Sequence, residues 1–319
     1  MNSIRKGAIH LFRFAGIDVS LHWSWFLVAA FEISREHAYS SAGWNVAEYL
    51  ALFLIVMLHE FGHALACRQV GGVANEIVLW PLGGVAYVNP PQRPGATLWS
   101  LAAGPLVNVA LVPVTLGALV LAHSAGWAMT MPNLYHLLYT VAWYINLGLL
   151  IFNILPIYPL DGGQILRSLL WFGIGRARSL MAAVIVGFAG VALLVVWAAV
   201  AQSVWMAAIA AFILLNCWSG LRHAQALLKI AKLPRRPGFA CPSCNTSPPL
   251  GSYWGCSNCG TRFDTFETQA VCPQCRAQFP ATGCLDCGRR YPIAEWRAAG
   301  FTPGVAPAGG VSRVIPSGT

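Results

Sequence analysis

The chain has 319 residues, of which 57% are hydrophobic and only 10% are charged, and its formal net charge is +9. Soluble domains carry about 25% charged residues, so this composition excludes an ordinary soluble enzyme and indicates a polytopic membrane protein. In such a protein a positive net charge reflects basic loops that fix the orientation in the membrane, and it is no argument for nucleic-acid binding.

Long apolar runs predict six transmembrane helices in the first two thirds of the chain. The first four are expected at about residues 21–33, 49–63, 97–122 and 134–155. No charged residue lies between Arg178 and Arg222. That run is about twice the ~20 residues one span needs. It therefore predicts spans five and six, with a break near Gln202 and Ser203.

The basic residues predict the orientation of these spans. With the N-terminus inside, the external loops hold Arg35 alone. The cytoplasmic segments hold Arg5, Lys6, Arg13, Arg68, Arg93, Arg167, Arg176, Arg178, Arg222, Lys229 and Lys232. Because cytoplasmic loops carry an excess of Lys and Arg, we expect the N-terminus and the C-terminal part of the chain in the cytoplasm.

One segment between the second and third spans does not read as a helix. "NEIVLWPLGGVAYVN", residues 75–89, has two apolar runs on either side of the turn sequence "PLGG". This pattern predicts a strand, a turn and a second strand. We therefore expect a short membrane-associated β-hairpin beside the second span.

Composition changes sharply after the sixth predicted span. The sequence "KLPRRPG" is followed by a polar region rich in Gly, Pro and Cys. We predict a membrane-embedded core at 1–232, a linker at 233–240, a small cysteine-rich domain at 241–300 and a disordered tail at 301–319. The fold class expected is a polytopic α-helical membrane protein with a small C-terminal zinc-ribbon β domain.

The second span contains the sequence "HEFGH". His59 and His63 are one turn apart on one helix face, a spacing that lets both imidazoles reach one zinc ion. Glu60 lies beside them and can reach a water on that zinc. The alternative is two core histidines with a buried glutamate. Ionisable groups inside a span cost roughly 2.5–3.5 kcal/mol each on insertion scales, so three of them together favour a function.

A catalytic zinc has three protein ligands and one open position. The acidic or histidine candidates near the spans are Asp18, Glu32, His136 and Asp161. Asp161 ends span four on the inner side, where His59 and His63 also lie, so depth and side both select it. Its alternative role is the N-cap of the following helix.

Three motifs together resemble the site-2 protease family, the intramembrane zinc metalloproteases of peptidase family M50. They are "HEFGH" in span two, "AAGPLVN" in span three and "NILPIYPLDGG" after span four. The six-span layout is similar to the branch that includes the bacterial sporulation-factor-processing protease. Many members of that branch carry nucleotide-sensing domains, whereas this chain carries a cysteine-rich domain.

The resemblance implies roles for six residues. His59, His63 and Asp161 would bind the catalytic zinc, and Glu60 would be the general base. It also implies that Asn108 holds the substrate or its oxyanion, with an interhelical hydrogen bond as the alternative. Asn153 resembles the Asn of the family's N-x-x-P motif and is a second candidate for substrate binding.

Four C-x-x-C pairs predict structural zinc sites in the C-terminal domain, since two pairs supply four thiolates to one tetrahedral ion. Their spacing favours consecutive ribbons, and an interleaved pairing stays open. The first ribbon would use Cys241, Cys244, Cys256 and Cys259, and the second Cys272, Cys275, Cys284 and Cys287. Iron–sulfur ligation and a redox role for one pair are the weaker alternatives.

The expected function is hydrolysis of a peptide bond in or near a transmembrane segment of a membrane-tethered protein, in a cytoplasmic membrane. The expected cofactors are one catalytic and two structural Zn²⁺ ions. The partners are the bilayer, a membrane-protein substrate and a protein regulator docked on the ribbons, because the tail has no basic stripe for nucleic acid. The alternatives are a non-catalytic zinc-binding receptor or scaffold, and a transporter, which would show inverted repeats.

Overall fold

The structure is a computed structural model that describes residues 7–34, 39–80 and 83–296. The chain divides into two compact units, Met1–Lys232 and Leu233–Thr319. Several predictions concern residues outside the described ranges and are not addressed. They are the basic residues Arg5, Lys6 and Arg35, the turn residues Pro81 and Leu82, the end of the cysteine-rich domain and the tail at 301–319.

The first unit is mostly helical. Its first elements are β1 (Ala8–Phe14), β2 (Ile17–His22), α1 (Trp25–Ser34), α2 (Ala42–Gln69), β3 (Val73–Trp80) and β4 (Gly83–Asn89). They are followed by α3 (Pro94–Ser124), α4 (Trp127–Thr130), α5 (Pro132–Tyr139), a π-helical stretch (Thr140–Leu147) and α6 (Gly148–Ile154). The last helices are α7 (Asp161–Ile174), α8 (Arg176–Val200) and α9 (Val204–Ala231).

Within the described residues, five helices are long and apolar enough to cross a membrane. They are α2, α3, the continuous helix Pro132–Ile154, α8 and α9. Each contains or overlaps one of the predicted spans two to six. The break predicted near Gln202 and Ser203 is confirmed, since α8 ends at Val200 and the Ser203 hydroxyl caps α9 by accepting the Met206 backbone N–H.

The region predicted as the first span folds differently. Ile17–His22 is a strand, and the helix that follows it, α1, has ten residues. Ten helical residues rise about 15 Å, half of the ~30 Å hydrocarbon core. Apolar and polar residues alternate along Ile17–His22, which is the period of a strand, and its apolar residues Ile17, Val19 and Leu21 are buried. The predicted helix start at residue 21 is therefore wrong, and the count of six spans stays a prediction.

The four strands of the first unit form one sheet in the order β1-β2-β3-β4. The predicted hairpin at 75–89 is confirmed as the antiparallel pair β3–β4, and β2 pairs with β3 in parallel. The sheet packs its buried face on α2, where Ile77 and Leu79 share a core with Phe61. At the end of α2, Arg68 donates hydrogen bonds to the backbone oxygens of Ala15, Gly16 and Ala74. These contacts fix the sheet against the helix that carries the zinc motif.

The segment between α6 and α7 positions Asp161. Its residues Ile157 and Tyr158 lie in the groove between α8 and α9. A Cβ atom added at Gly190 would be 2.5 Å from Ile157 Cγ1, and one added at Gly187 would be 3.1 Å from the Tyr158 backbone oxygen. These two glycines therefore allow the close approach that sets where α7 begins.

The second unit contains two short hairpins, β5–β6 (Trp254–Gly255, Arg262–Phe263) and β7–β8 (Thr282–Gly283, Arg290–Tyr291), and a 3₁₀ turn at Ile293–Trp296. The stretch 233–240, predicted as a linker, makes contacts inside this unit. Arg235 pairs with Asp286 at 2.7 Å and Arg236 with Asp264 at 2.6 Å. These residues therefore belong to the folded unit and do not form a free linker.

Candidate metal centre

His59, His63 and Asp161 meet at one point between α2 and the start of α7. The Asp161 Oδ2 atom lies 3.0 Å from His59 Nε2 and 3.3 Å from His63 Nε2, and the two Nε2 atoms are 3.1 Å apart. Both imidazoles are buried, with 3% and 6% of their residue surface exposed. Asp161, which was selected by its expected depth and side in the membrane, thus lies beside the two histidines in the structure.

The spacing of these three atoms fits a zinc ion. Ligand atoms bound to a tetrahedral zinc at about 2.0–2.2 Å lie roughly 3.3–3.6 Å from one another. The distances of 3.0–3.3 Å between the three atoms are close to that range. Two imidazole nitrogens and one carboxylate oxygen also match the donor set of a catalytic zinc, which keeps its fourth position open.

The outer nitrogen of each histidine has a partner. His59 Nδ1 lies 2.6 Å from Asn108 Oδ1, and His63 Nδ1 lies 2.8 Å from the backbone oxygen of Ser100. Both partners are oxygens that accept a hydrogen bond, so each Nδ1 donates and each Nε2 presents its lone pair to the metal position. Metal-binding histidines are usually held in this way.

Asn108 makes the interhelical contact that the sequence offers as its alternative role. Its side chain is fully buried, its Oδ1 contacts His59, and its Nδ2 donates to Asn146 Oδ1 at 2.9 Å. The oxygen of the amide therefore holds a metal-binding histidine in place, and substrate binding by Asn108 stays a prediction. The interhelical hydrogen bond, the alternative weighed from the sequence, describes this contact better.

The glycine of "AAGPLVN" lets α3 approach the two histidines. A Cβ atom at Gly104 would lie 2.2 Å from His63 Nε2 and 2.8 Å from His59 Nε2. Gly162, next to Asp161, is equally restricted, because a Cβ there would lie 2.1 Å from the Ile154 backbone oxygen. Both glycines are therefore needed for the site to form in this geometry.

The remaining predicted residues are near the centre in sequence or in space. Glu60 follows His59 in α2 and is 6% exposed. Asn153 lies near the end of α6 and is half-buried. The sequence did not single out the buried residues Ser100, which bonds to His63, and Asn146, which bonds to Asn108. Asn146 left one signal, which is an amide in the middle of an otherwise apolar run.

Comparison with known proteins places this geometry in a family. The family model described as Peptidase family M50 matches residues 47–126 and 113–197, which include both histidines, Asn108 and Asp161. This part of the chain, just under half of its length, is similar to peptidase family M50. The prediction from the three motifs is thereby confirmed, and with five candidate spans the M50 part makes the chain a multi-pass membrane protein.

Relatives and a solved structure agree with this assignment. A zinc metalloprotease of Methanocaldococcus jannaschii is 34% identical over 180 residues, covering 56% of this chain and 50% of the relative. Stage IV sporulation protein FB of Bacillus subtilis is 31% identical over 122 residues, covering 37% and 38%. The structure of a site-2 protease from M. jannaschii aligns with a TM-score of 0.51 at 27% identity, covering 67% of this chain and 95% of that one. The chain spans about half the length of the metalloprotease relative.

The eight tail cysteines lie outside the part matched by the M50 model and form two clusters. One contains Cys241, Cys244, Cys284 and Cys287, and the other Cys256, Cys259, Cys272 and Cys275. Sulfur–sulfur distances between partner knuckles are 3.7 Å in the first and 3.5 and 3.6 Å in the second. Four thiolates around a zinc at about 2.3 Å lie roughly 3.8 Å apart, so both clusters could hold the ion.

The predicted pairing of consecutive knuckles is wrong. The first C-x-x-C pair joins the fourth, and the second joins the third, so that one site is nested inside the other. The packing explains this choice. The first and fourth knuckles share a core with Phe266 and the fully buried Trp296, and the second and third pack around Phe263. Because all four C-x-x-C pairs have the same spacing, the spacing cannot predict which two share a metal site. The aromatic residues packed against each cluster distinguish the two sites.

Proposed function

We propose that this chain is an intramembrane zinc endopeptidase of family M50 that cleaves a membrane-tethered protein in or near its transmembrane segment. One observation carries the proposal. Two histidines on a helix that is long and apolar enough to cross a membrane meet an aspartate in a zinc-type centre, and a buried glutamate follows the first histidine in the sequence. A purely structural metal site has no need of a glutamate beside its ligands.

Each residue of the centre has a role in this proposal. His59, His63 and Asp161 would hold the metal. Zinc at such a site lowers the pKa of a bound water molecule to about 7 and polarises a carbonyl. The Glu60 carboxylate would take a proton from the attacking water and deliver it to the nitrogen of the leaving amine. Asn153 is proposed to contact the substrate, since it is half-buried and precedes the Asp161 segment.

The substrate also has to lose its helical hydrogen bonds before its carbonyl can be attacked. Strand β4 is at the edge of the sheet, next to the helix that carries the motif. We propose that the unwound substrate adds to β4 as a further strand, because ladder hydrogen bonds would replace the lost helical ones.

The second unit is proposed to hold two structural zinc ions, since the two nested clusters offer four thiolates each. A small unit of this kind gains much of its folding free energy from the metal. We further propose that it docks a protein substrate or regulator in the cytoplasm, with both termini on that side. The excess of basic residues in the segments assigned to the inside supports this orientation.

The test is cleavage of a panel of tagged single-span membrane proteins, each co-expressed with the chain or with its Glu60→Gln variant. The variant keeps the three metal ligands and lacks the base. Fragments that appear only with the unchanged chain support the proposal, and their ends give the depth of cleavage. Equal cleavage by both chains would contradict the assigned base. A panel left intact by a chain shown to hold its catalytic zinc would count against proteolysis.

A further inference from the structure

Asn146 is a buried amide in the π-helical stretch, and the catalytic roles above do not use it. Its residue surface is fully buried. Its Oδ1 accepts a hydrogen bond from Asn108 Nδ2 at 2.9 Å, and its Nδ2 donates to the Asn108 backbone oxygen at 3.2 Å. One side chain therefore contacts both the backbone and the side chain of the residue that holds His59.

These contacts determine each donor and acceptor in turn. A backbone oxygen can only accept, so Asn146 must direct its NH₂ group to the Asn108 carbonyl and its Oδ1 to the Asn108 side chain. Asn108 must then present its NH₂ group to Asn146 and its Oδ1 to His59. Because that oxygen also only accepts, His59 carries its proton on Nδ1. Its Nε2 is left with a lone pair, 3.0 Å from Asp161 Oδ2.

We propose that Asn146 is a positioning residue that fixes, through Asn108, the His59 tautomer able to bind the metal. The inference rests on the proposed function only in its consequence for catalysis. The series of hydrogen bonds begins at the Asn108 backbone oxygen on α3 and ends at the metal ligand His59 on α2. A π-helical turn is a frequent feature of functional sites. Here it presents Asn146 to α3.

The first experiment measures metal affinity and not cleavage. The full chain is purified in detergent, and its zinc content is determined over a series of buffered free zinc concentrations. A His63→Ala chain supplies the contribution of the cysteine clusters, which is subtracted. Loss of a residue that holds a metal ligand typically costs 10- to 100-fold in affinity. We expect Asn146→Leu to weaken zinc binding at the M50 site by about this factor.

Two further variants separate polarity from packing. Adding Asn108→Asp to Asn146→Leu should restore the affinity, because a carboxylate can only accept from His59 Nδ1. Asn216→Leu removes a half-buried amide of α9 that bonds to Phe212 O, and this control should leave zinc binding unchanged.

The outcomes are distinct. Weak binding by Asn146→Leu, together with rescue by Asn108→Asp, would support the proposal. Unchanged affinity in Asn146→Leu would overturn it. So would a loss in Asn146→Leu that Asn108→Asp does not restore. None of these readouts depends on proteolysis. The inference can therefore fail while the protease proposal stands, and the protease proposal can fail while the inference stands.

Discussion

Replacing Gly104 with alanine should remove the catalytic metal while leaving the fold in place. The new Cβ would lie 2.2 Å from His63 Nε2 and 2.4 Å from its Cε1. To reach ordinary contact at 3.4 Å, the ring would have to move by 3.4 − 2.2 = 1.2 Å. That movement is more than half of a zinc–nitrogen bond of about 2.0–2.1 Å, and metal sites tolerate deviations of only about 0.2 Å.

The expected result is a chain that holds zinc in its cysteine clusters but not at the M50 site. Cleavage of a membrane substrate should fall by about 100-fold, the upper end of the loss caused by changing a residue that supports a metal ligand. The helix itself should not suffer, because alanine is about 0.8–1.0 kcal/mol more favourable than glycine in a helix interior. Zinc content per chain, measured at buffered free zinc, and thermal unfolding in detergent give the two readouts.

A matched control lies on the same helix. A Cβ at Gly117 would have no atom within 4 Å, so Gly117→Ala makes the same chemical change in open space. It should keep both zinc and activity. If Gly104→Ala bound zinc as tightly as Gly117→Ala and cleaved substrate equally well, the close approach of α3 to the histidines would not be the reason for a glycine at this position.

Three further predictions follow from other parts of the molecule. Replacing Cys241 and Cys284 together should remove one tail zinc and spare the other, whereas replacing Cys241 and Cys256 should remove both; the opposite pattern would restore consecutive pairing. Arg68→Ala should lower the free energy of unfolding in detergent by about 2–3 kcal/mol, because three backbone oxygens lose a charged donor. Arg68→Lys should recover only part of this loss. Proline substitutions at 85–88 should slow cleavage and leave zinc content unchanged, and undiminished cleavage would argue against strand addition at β4.

The sequence was most informative where chemistry and periodicity acted together. The i, i+4 spacing of His59 and His63 defines a metal face, and depth and side then singled out Asp161. The long apolar runs located five helices, since a membrane span must satisfy its own backbone hydrogen bonds. The hairpin β3–β4 was visible because a turn sequence separates two β-branched runs.

The errors have physical reasons. The segment before α1 alternates apolar and polar residues, as a strand does, and its partner β3 lies more than fifty residues away. Asn108 could face either a substrate or a ligand, because an amide suits both tasks. Its role depends on Asn146, which is distant in sequence. The knuckle pairing depends on Trp296 and Phe266, whose packing no spacing rule describes.

The nested arrangement of the cysteine clusters imposes an order of assembly. Cys259 and Cys272 are 13 residues apart, whereas Cys244 and Cys284 are 40 apart. Closing the longer loop costs about 1 kcal/mol more chain entropy than closing the shorter one. During synthesis the inner four thiolates are also complete before the last pair emerges. The inner site should therefore bind its metal first. Its closure would bring the first and fourth C-x-x-C pairs close together, so that the outer site forms after the inner one.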